Sequence, residues 1–397
     1  MGFDLIQDTS VVSNLAPRFV PNLAGHTCRT LAGNVAMVRA CRSSWPQRRA
    51  VKPRLRDLEV VACLCRAMWR KLRCNRAMAT RRLLSSSSVA RTKQQVRSSW
   101  CTGRWQSGRL DGTSWPKPWL PATCEHTTAS VGPSDLSQPA IIEGAMREWP
   151  NPERWSIDVI LAEHASTELV AGTDDDDYAV TMRIDEYLEY AESQRDDAPL
   201  YLFDDAALDL PELSSLADAY TTPSCFPFDF LAALGPERPP HRWLLIGAAR
   251  AGTALHVDPH ATAAFNTLVS GTKRWLLFPP STDPSVLFSE RARQGLEASE
   301  WLHECYPALP REIPGFDLVQ RPGETMFVPD GWWHMVVNLE TTIAVTHNFV
   351  GPHNFRAAHA ALHAETPELA AKWIERMRAD PGLSAICDGR LDLDDSA

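Results

Sequence analysis

The sequence predicts a mainly β fold with flanking helices, in which a closed or sandwiched β-structure follows a long basic extension. Beyond Pro240, short apolar runs recur with strand spacing, and several are separated by only two to four turn residues, which predicts an antiparallel meander of strands joined by hairpins. After Pro352 the apolar residues return to helical spacing. The charge also changes: residues 1–137 hold 22 Lys and Arg against 7 Asp and Glu, whereas residues 138–397 hold 18 against 42.

Residues 1–137 form a basic, Arg-, Ser- and Trp-rich extension that we expect to be largely disordered. Only residues 58–72 show apolar residues at helical spacing. Residues 78–100 have the composition of an organelle transit peptide but lie far inside the chain, so a basic tether is favoured over a translation start near Met78. A basic arm can contact nucleic-acid phosphates, but Arg-rich disorder is mostly non-specific, so nucleic-acid binding is not favoured.

Composition also argues against several classes of protein. No run of about 18 apolar residues could cross a membrane, and the first twenty residues lack the pattern of a secretory signal. We therefore expect a soluble protein of the nucleus or cytoplasm, with organelle targeting only if translation starts near Met78. The 10 cysteines form no CxxC pair, which argues against a zinc site, and no P-loop or GxSxG motif is found.

Three segments follow the extension. Residues 138–240 predict an N-terminal α+β part, residues 241–350 a β core, and residues 351–397 C-terminal helices with an acidic tail. The predicted strands are 140–143, 178–184, 201–203, 243–247, 254–257, 264–269, 273–278, 324–328, 334–339 and 341–347. The predicted helices are 152–164, 185–194, 355–364 and 367–377. Because the last two helices are amphipathic, they are expected to pack outside the barrel or to form a homodimer interface.

A metal-ligating pattern stands out in the predicted β core. His256 and Asp258 lie two apart on a predicted strand, so their side chains share a face. His334 begins a later strand after a Pro-Asp-Gly turn. Two histidines and one carboxylate form the facial triad of non-haem iron(II) oxygenases, which leaves open positions on the metal. A histidine and an aspartate two apart are by themselves a weak indication, because a strand histidine is more often structural.

Lys273 strengthens that pattern. It begins an otherwise apolar strand, and a lysine that faces a barrel interior is costly to bury unless it meets an anion. The alternative from this strand alone is an outward-facing lysine whose stem covers apolar surface.

Several motifs together resemble the Jumonji-C (JmjC) oxygenases, in particular the branch of bifunctional arginine demethylases and lysyl hydroxylases. The resemblance covers residues 138–350. It is carried by Trp243, ALHVDP at 254–259, Asn266, GTKRW at 271–275, FP at 278–279, RPGET at 321–325 and VPDGWWH at 328–334. It is also carried by EY at 189–190, RDD at 195–197, PLY at 199–201, NL at 338–339 and TTIA at 341–344.

The resemblance implies a double-stranded β-helix, that is, a jelly-roll or cupin-like JmjC barrel, with His256, Asp258 and His334 as ligands of Fe(II). It implies that Lys273 takes the distal carboxylate of the cosubstrate 2-oxoglutarate. The residues that complete this pocket are Thr253, Asn266, Thr346, Tyr201, Trp243 and Asn348. With dioxygen, such enzymes hydroxylate lysine or demethylate methylarginine in proteins, and lysyl hydroxylation is favoured here. The acidic balance of residues 138–397 suits a basic protein or peptide substrate.

Alternatives remain open at this point. The chain could be a JmjC hydroxylase that acts on another residue or on RNA, a metal-binding cupin-like isomerase or storage barrel, or a non-catalytic scaffold. The isomerase would not need Lys273, and the scaffold typically lacks a ligand. Among nearby residues, His260 is interpreted as a turn residue, His347 as a structural residue on the opposite strand face, and Trp332 and Trp333 as packing that positions His334 rather than an aromatic cage.

Overall fold

The structure is a computed structural model that describes residues 82–83, 115–173, 179–196, 198–288, 292 and 296–384. The predicted helix at 58–72, the acidic tail and the predicted tether apart from Arg82–Leu83 lie outside the described residues. No helix in the described ranges is long and apolar enough to cross a membrane.

Fourteen strands of the described chain form three sheets. The strands are β1 Arg82–Leu83, β2 Glu125–Thr128, β3 Ala140–Glu143, β4 Glu168–Thr173, β5 Ala179–Arg183, β6 Tyr201–Asp204, β7 Arg242–Gly247, β8 Gly252–His256, β9 Ala263–Ser270, β10 Lys273–Phe278, β11 Phe316–Gln320, β12 Glu324–Val328, β13 Trp333–Asn338 and β14 Thr342–Phe349. The large sheet has the order β2-β3-β12-β9-β14-β7-β6, the small sheet β11-β10-β13-β8, and the third sheet β1-β5-β4.

Strands that follow one another in the core mostly belong to opposite sheets. β7, β9, β12 and β14 lie in the large sheet, whereas β8, β10 and β13 lie in the small one. Among β7 to β14, only β10 and β11 are both consecutive and paired. The predicted jelly-roll core with flanking helices is therefore confirmed. The interpretation of short connections as hairpins between paired strands is wrong, because a short connection here carries the chain from one sheet to the other.

Gly271 shows why such a short crossing is feasible. It lies between β9 and β10 with φ +78°, a left-handed conformation that glycine adopts without strain. A Cβ at this position would lie 2.2 Å from the carbonyl oxygen of Thr341. Glycine therefore allows the sharp turn and the close approach of Thr341 in the connection between β13 and β14.

Seven α-helices are described. They are α1 Ile157–His164, α2 Ile184–Ser193, α3 Ser214–Ala217, α4 Pro284–Leu287, α5 Ala298–Glu304, α6 Phe355–Glu365 and α7 Pro367–Ala379. The predicted helix at 152–164 is divided: Pro152–Trp155 is a 3-10 turn, and Ser156 then caps α1 by accepting from the Val159 N–H. The strands β1, β2, β4 and β11 and the short helices α3, α4 and α5 were not predicted from the sequence.

Each core sheet packs one face inward and has its other face covered. On the outer side of the small sheet, Phe278, Met335 and Val337 pack with Trp301 and Leu302 of α5. Phe265, Phe327 and Phe349 of the large sheet pack with Phe226 from a preceding loop. Strands such as β10 and β13 are therefore buried along their whole length, which explains their nearly continuous apolar character.

The folded unit starts earlier than the predicted boundary between residues 137 and 138. β2 pairs in parallel with β3, so that His126 lies opposite Ile141. Farther upstream, Arg274 donates to the Pro116 carbonyl at 2.8 Å and forms a bidentate pair with Asp317 at 2.8 and 2.7 Å. Arg274, which is held by its buried ion pair with Asp317, therefore anchors residues 115–121 on the outer face of β10. The Arg- and Ser-rich composition of residues 1–137 as a whole gave no indication of this.

The predicted segments 138–240 and 241–350 share one sheet, because β6 pairs with β7 and β3 pairs with β12.

The C-terminal helices pack against their own chain outside the barrel. Trp373 of α7 is fully buried against Phe230 and Phe355, and its indole N–H donates to the Phe230 carbonyl at 2.8 Å. Lys372 pairs with Glu237 at 2.6 Å. The amphipathic pattern that motivated the homodimer hypothesis is therefore accounted for by intramolecular packing.

Candidate functional site

Two histidines face each other across neighbouring strands of the small sheet. His256 ends β8 and lies directly opposite His334 on β13, with ring centroids 4.1 Å apart. Asp258 lies just beyond β8, with its carboxylate oxygens 3.9 Å from Nε2 of His256 and 4.0 Å from Nε2 of His334. One ligand atom from each residue lies within 4.8 Å of the other two. The three predicted metal ligands therefore converge, although Asp258 follows the strand rather than belonging to it.

Backbone carbonyls orient both imidazoles. Nδ1 of His256 lies 2.8 Å from the Ala254 carbonyl, and Nδ1 of His334 lies 3.0 Å from the Trp332 carbonyl. Because a carbonyl can only accept, each Nδ1 carries the proton, and each Nε2 is the nitrogen presented to Asp258. Burial, and next the neighbouring His334, hold the pKa of His256 well below its usual range. A neutral imidazole is the form that binds metal ions.

Asp258 provides a test of whether a metal fits. Its carboxylate is buried, and Oδ2 has no hydrogen-bond partner in the described part of the chain. Burial raises the pKa of this carboxyl, while His334 and a hydrogen bond from Asn348 lower it. A buried carboxylate oxygen without a hydrogen-bond partner is costly, and a divalent cation between it and two imidazoles would remove that cost. The donor set therefore fits the iron(II) predicted from the sequence.

Lys273 lies inside the barrel. It begins β10, is 1% exposed, and donates from Nζ to the Tyr201 hydroxyl at 3.0 Å and to Oδ1 of Asn338 at 3.1 Å. Burial lowers the pKa of this ammonium to about 7. The outward-facing alternative is therefore wrong. A buried ammonium that has neutral partners, and no carboxylate in contact among the described residues, is suited to an anionic ligand.

The predicted pocket residues line one cavity, together with the metal-ligand candidates. It has an empty volume of about 560 Å³, and its lining includes all ten residues predicted from the sequence: His256, Asp258, His334, Lys273, Thr253, Asn266, Thr346, Tyr201, Trp243 and Asn348.

Three of these residues form a row across the large sheet. Thr346 of β14 lies between Asn266 of β9 and Trp243 of β7 in the strand register. Oδ1 of Asn266 is buried without a hydrogen-bond partner among the described residues. The Thr346 hydroxyl donates to the Phe265 carbonyl at 3.2 Å, and Asn348 donates to the Thr262 hydroxyl at 3.0 Å. The row offers polar groups to a ligand on the wall opposite the small sheet.

The sequence analysis missed part of the lining. The additional side chains are Phe203, Leu245, Ala264, Trp275, Val328 and Val336. Most lie two positions from a predicted residue on the same strand: Phe203 follows Tyr201, and Trp275 follows Lys273. The two-residue period of a strand would have found them. Asn338 was also not predicted as a site residue, although NL at 338–339 is one of the motifs that carry the resemblance.

Nearby residues take the structural roles predicted for them. His260 lies in a turn at φ +54° and contacts Glu365 at 3.2 Å, outside the group of three ligands. His347 faces away from the cavity and pairs with Asp229 at 3.3 Å. Trp332 is buried beside Phe316, and Trp333 packs edge-on against Phe288, so both are packing residues.

Comparison with known proteins identifies the family. A cupin-like domain family matches residues 134–354. The chain belongs to the cupin-like domain family. This cupin-like domain contains both the histidine-aspartate group and Lys273, and its match agrees with the jelly-roll topology.

The relatives of this cupin-like domain carry names that agree with the motifs. The bifunctional arginine demethylase and lysyl-hydroxylase psr-1 of Caenorhabditis elegans is 36% identical over 248 residues, which are 60% of this chain and 62% of the worm protein. Arginine-specific demethylase JMJ22 of Arabidopsis thaliana is 35% identical over 226 residues, 55% of this chain and 43% of that protein. The 2-oxoglutarate and iron-dependent oxygenase JMJD4 of Gallus gallus is 32% identical over 143 residues, 34% of this chain and 32% of that protein. The chain thus spans less than two thirds of the length of each.

Proposed function

We propose that the protein is an Fe(II)- and 2-oxoglutarate-dependent oxygenase that acts on lysine or methylarginine side chains of proteins. The observation that supports this most is that one cavity contains two imidazoles and a carboxylate grouped together, and also a buried ammonium. The first group suits a divalent metal, and the second suits the far carboxylate of a dicarboxylic acid. A cupin isomerase needs only the first.

Each residue has a definite task in this proposal. His256, Asp258 and His334 would hold the iron, and Lys273 would bind the distal carboxylate of 2-oxoglutarate. Thr253, Asn266 and Thr346 supply hydrogen bonds to the cosubstrate. When bound together, iron and 2-oxoglutarate use dioxygen to oxidise a substrate C–H bond, and 2-oxoglutarate is converted to succinate and carbon dioxide.

The apolar lining keeps bulk water away from the metal. Trp275 stacks near His334 with ring centroids 6.2 Å apart, and Val328, Val336 and Ala264 face the same cavity. Such a wall favours oxidation of a bound substrate over side reactions with water.

The names of the relatives support two product types. Hydroxylation of a lysine carbon adds one oxygen, whereas hydroxylation of an N-methyl group of arginine releases formaldehyde and leaves a demethylated arginine. We favour lysyl hydroxylation. The acidic surplus of residues 138–397 would attract a basic peptide towards the folded unit, whichever residue is modified.

Turnover with a defined peptide tests the proposal. The full chain, Fe(II), 2-oxoglutarate and oxygen are incubated with a Lys- and Arg-rich peptide, in unmethylated and arginine-methylated forms, and the products are weighed by mass spectrometry. A gain of about 16 mass units on lysine supports hydroxylation, and a loss of about 14 from methylarginine supports demethylation. Peptide-independent conversion of 2-oxoglutarate to succinate, with no peptide modified, would support a different substrate such as RNA. No succinate at all would contradict the proposal.

A further inference from the structure

Asn338 contacts Lys273 directly, although it does not belong to the predicted site. It ends β13 and lies opposite Lys273 in the pairing of β10 with β13. The side chain is fully buried, and Oδ1 accepts from the Lys273 ammonium at 3.1 Å. The Tyr201 hydroxyl accepts from the same ammonium at 3.0 Å, and Nδ2 of Asn338 donates to the Ala248 carbonyl at 3.5 Å. Lys273, Tyr201 and Asn338 therefore form a triangle of neighbouring side chains at one end of the cavity.

The triangle determines what Lys273 can offer. A lysine ammonium has three N–H donors, and two of them are used by Tyr201 and Asn338. One donor remains for an oxygen of a ligand in the cavity that Lys273 lines. Because both protein partners are neutral, the positive charge stays available to an anion. A carboxylate in the place of Asn338 would neutralise it.

The backbone around Asn338 holds the amide in place. Its own N–H donates to the Ala251 carbonyl at 2.8 Å, and its carbonyl accepts from the Arg250 N–H at 2.8 Å. Gly247 on β7 leaves room for the Asn338 side chain. A Cβ at residue 247 would lie 2.0 Å from Nδ2 of Asn338 and 2.7 Å from Cε2 of Tyr201. Any side chain at residue 247 would therefore displace two members of the triangle.

We propose that Asn338 is a positioning residue that orients the Lys273 ammonium towards the distal carboxylate of the cosubstrate without neutralising it. Gly247 provides the room for this arrangement. The inference rests on the proposed function, because it takes 2-oxoglutarate as the ligand. It adds a specificity role: Asn338 makes the cavity select a dicarboxylic 2-oxo acid over one that ends in a methyl group.

Paired ligands separate this role from a structural one. 2-Oxopentanoate has the chain length of 2-oxoglutarate but ends in a methyl group, so it retains the metal-binding end and lacks the carboxylate. Binding of each compound to the full chain with Fe(II) is measured anaerobically by calorimetry, for the wild type and for Asn338→Leu, Asn338→Asp and Gly247→Ala. Met377→Ala, in the fully buried core under the C-terminal helices, is the control for general loss of stability.

We expect the wild type to prefer 2-oxoglutarate strongly and Asn338→Leu to bind it about tenfold more weakly, since a hydrogen bond to a charged group is removed. Binding of 2-oxopentanoate should change less than about twofold, because it never used Lys273. Asn338→Asp should lose the preference further, because its carboxylate competes for the ammonium. If Asn338→Leu does not fold, the ratio of the two affinities is measured on Asn338→Asp and Gly247→Ala instead, and it should fall below the wild-type ratio in both.

Several results would overturn the inference. Equal weakening of both compounds in the folded variants would make Asn338 merely structural, and an unchanged preference would make it irrelevant. A loss of preference in Met377→Ala would attribute the effect to stability. The proposed function fails separately: wild-type chain that binds neither compound in the presence of Fe(II) would contradict it, and the inference with it.

Discussion

The two ends of the cavity are built in different ways. At the metal end, each imidazole is oriented by a backbone carbonyl two residues away, so its position depends on local strand geometry. At the lysine end, the ammonium is held by side chains from β6 and β13, which are far apart in the sequence. The metal end also carries the buried Asp258 carboxylate, which suits a cation, and the lysine end carries a positive group that suits an anion. One ligand with a metal-binding end and a remote carboxylate would match both ends.

The largest expected effect comes from the metal end. His256→Ala removes one of three ligands, so we expect Fe(II) binding and peptide oxidation to fall to background. Metal content after anaerobic loading and desalting measures this without turnover. His260→Asn is the matched control, because asparagine tolerates the left-handed turn and His260 lies outside the ligand group. Iron retention equal to wild type in His256→Ala would contradict the assignment.

A smaller effect is expected at the lysine end. Lys273→Ala leaves the metal ligands intact but removes the charge opposite the distal carboxylate, so KM for 2-oxoglutarate should rise on the order of a hundredfold. Steady-state kinetics should show a much smaller change in kcat at saturating cosubstrate, with iron content unchanged. Lys372→Ala, an exposed lysine on α7, should leave KM unchanged. A Lys273→Ala enzyme with normal KM would remove Lys273 from the site.

The pH dependence should also distinguish the two ends. Because burial lowers the pKa of Lys273 to about 7, its side chain is mostly a charged ammonium below pH 7 and mostly a neutral amine above it. Binding of 2-oxoglutarate requires the charged form, so its Kd should weaken by up to about tenfold per pH unit above 7, as far as the higher pKa of Lys273 in the ligand-bound protein. Calorimetry at saturating iron between pH 6.5 and 8.5 measures this. 2-Oxopentanoate should lack that slope, and equal slopes for the two compounds would place the titrating group elsewhere.

The smallest effect on ligand binding is expected for a substitution on the outer face of β10, the strand that begins with Lys273. Arg274 alternates with Lys273 and pairs with Asp317 outside the cavity. Arg274→Ala leaves Asp317 buried without its partner, so the free energy of unfolding should fall by about 3 kcal/mol. The affinity for 2-oxoglutarate should change less than about twofold. Thermal denaturation and calorimetry measure the two quantities. A Kd that weakens as much as in Lys273→Ala would mean that the two faces of β10 are not independent.

These contrasts also show what the sequence could predict. His256, Asp258 and His334 are recognisable because their chemistry and motif context are specific, and the strand bounds at β3, β10 and β12 follow from apolar runs between turn residues. Strand pairing was not predictable from spacing, because connections as short as the two residues at Gly271 join opposite sheets.

Contacts between distant segments were also invisible. Residues 115–121 are anchored by Arg274, which in turn pairs with Asp317. Neither of these two residues is near that segment in sequence. Asn338 was not predicted as a site residue, because an asparagine at the end of a strand is usually a turn residue. Only its register opposite Lys273 reveals the contact.

The proposed function requires that both ends of the cavity bind one ligand, and an anaerobic titration tests this most directly. 2-Oxoglutarate is added to the full chain with and without Fe(II), and binding is followed by calorimetry for the wild type, His334→Ala and Lys273→Ala. We expect one equivalent of 2-oxoglutarate to bind per chain. This binding should require the metal, be lost in His334→Ala and be greatly weakened in Lys273→Ala. Binding that is equally tight without metal, or that survives both substitutions unchanged, would contradict the proposed function.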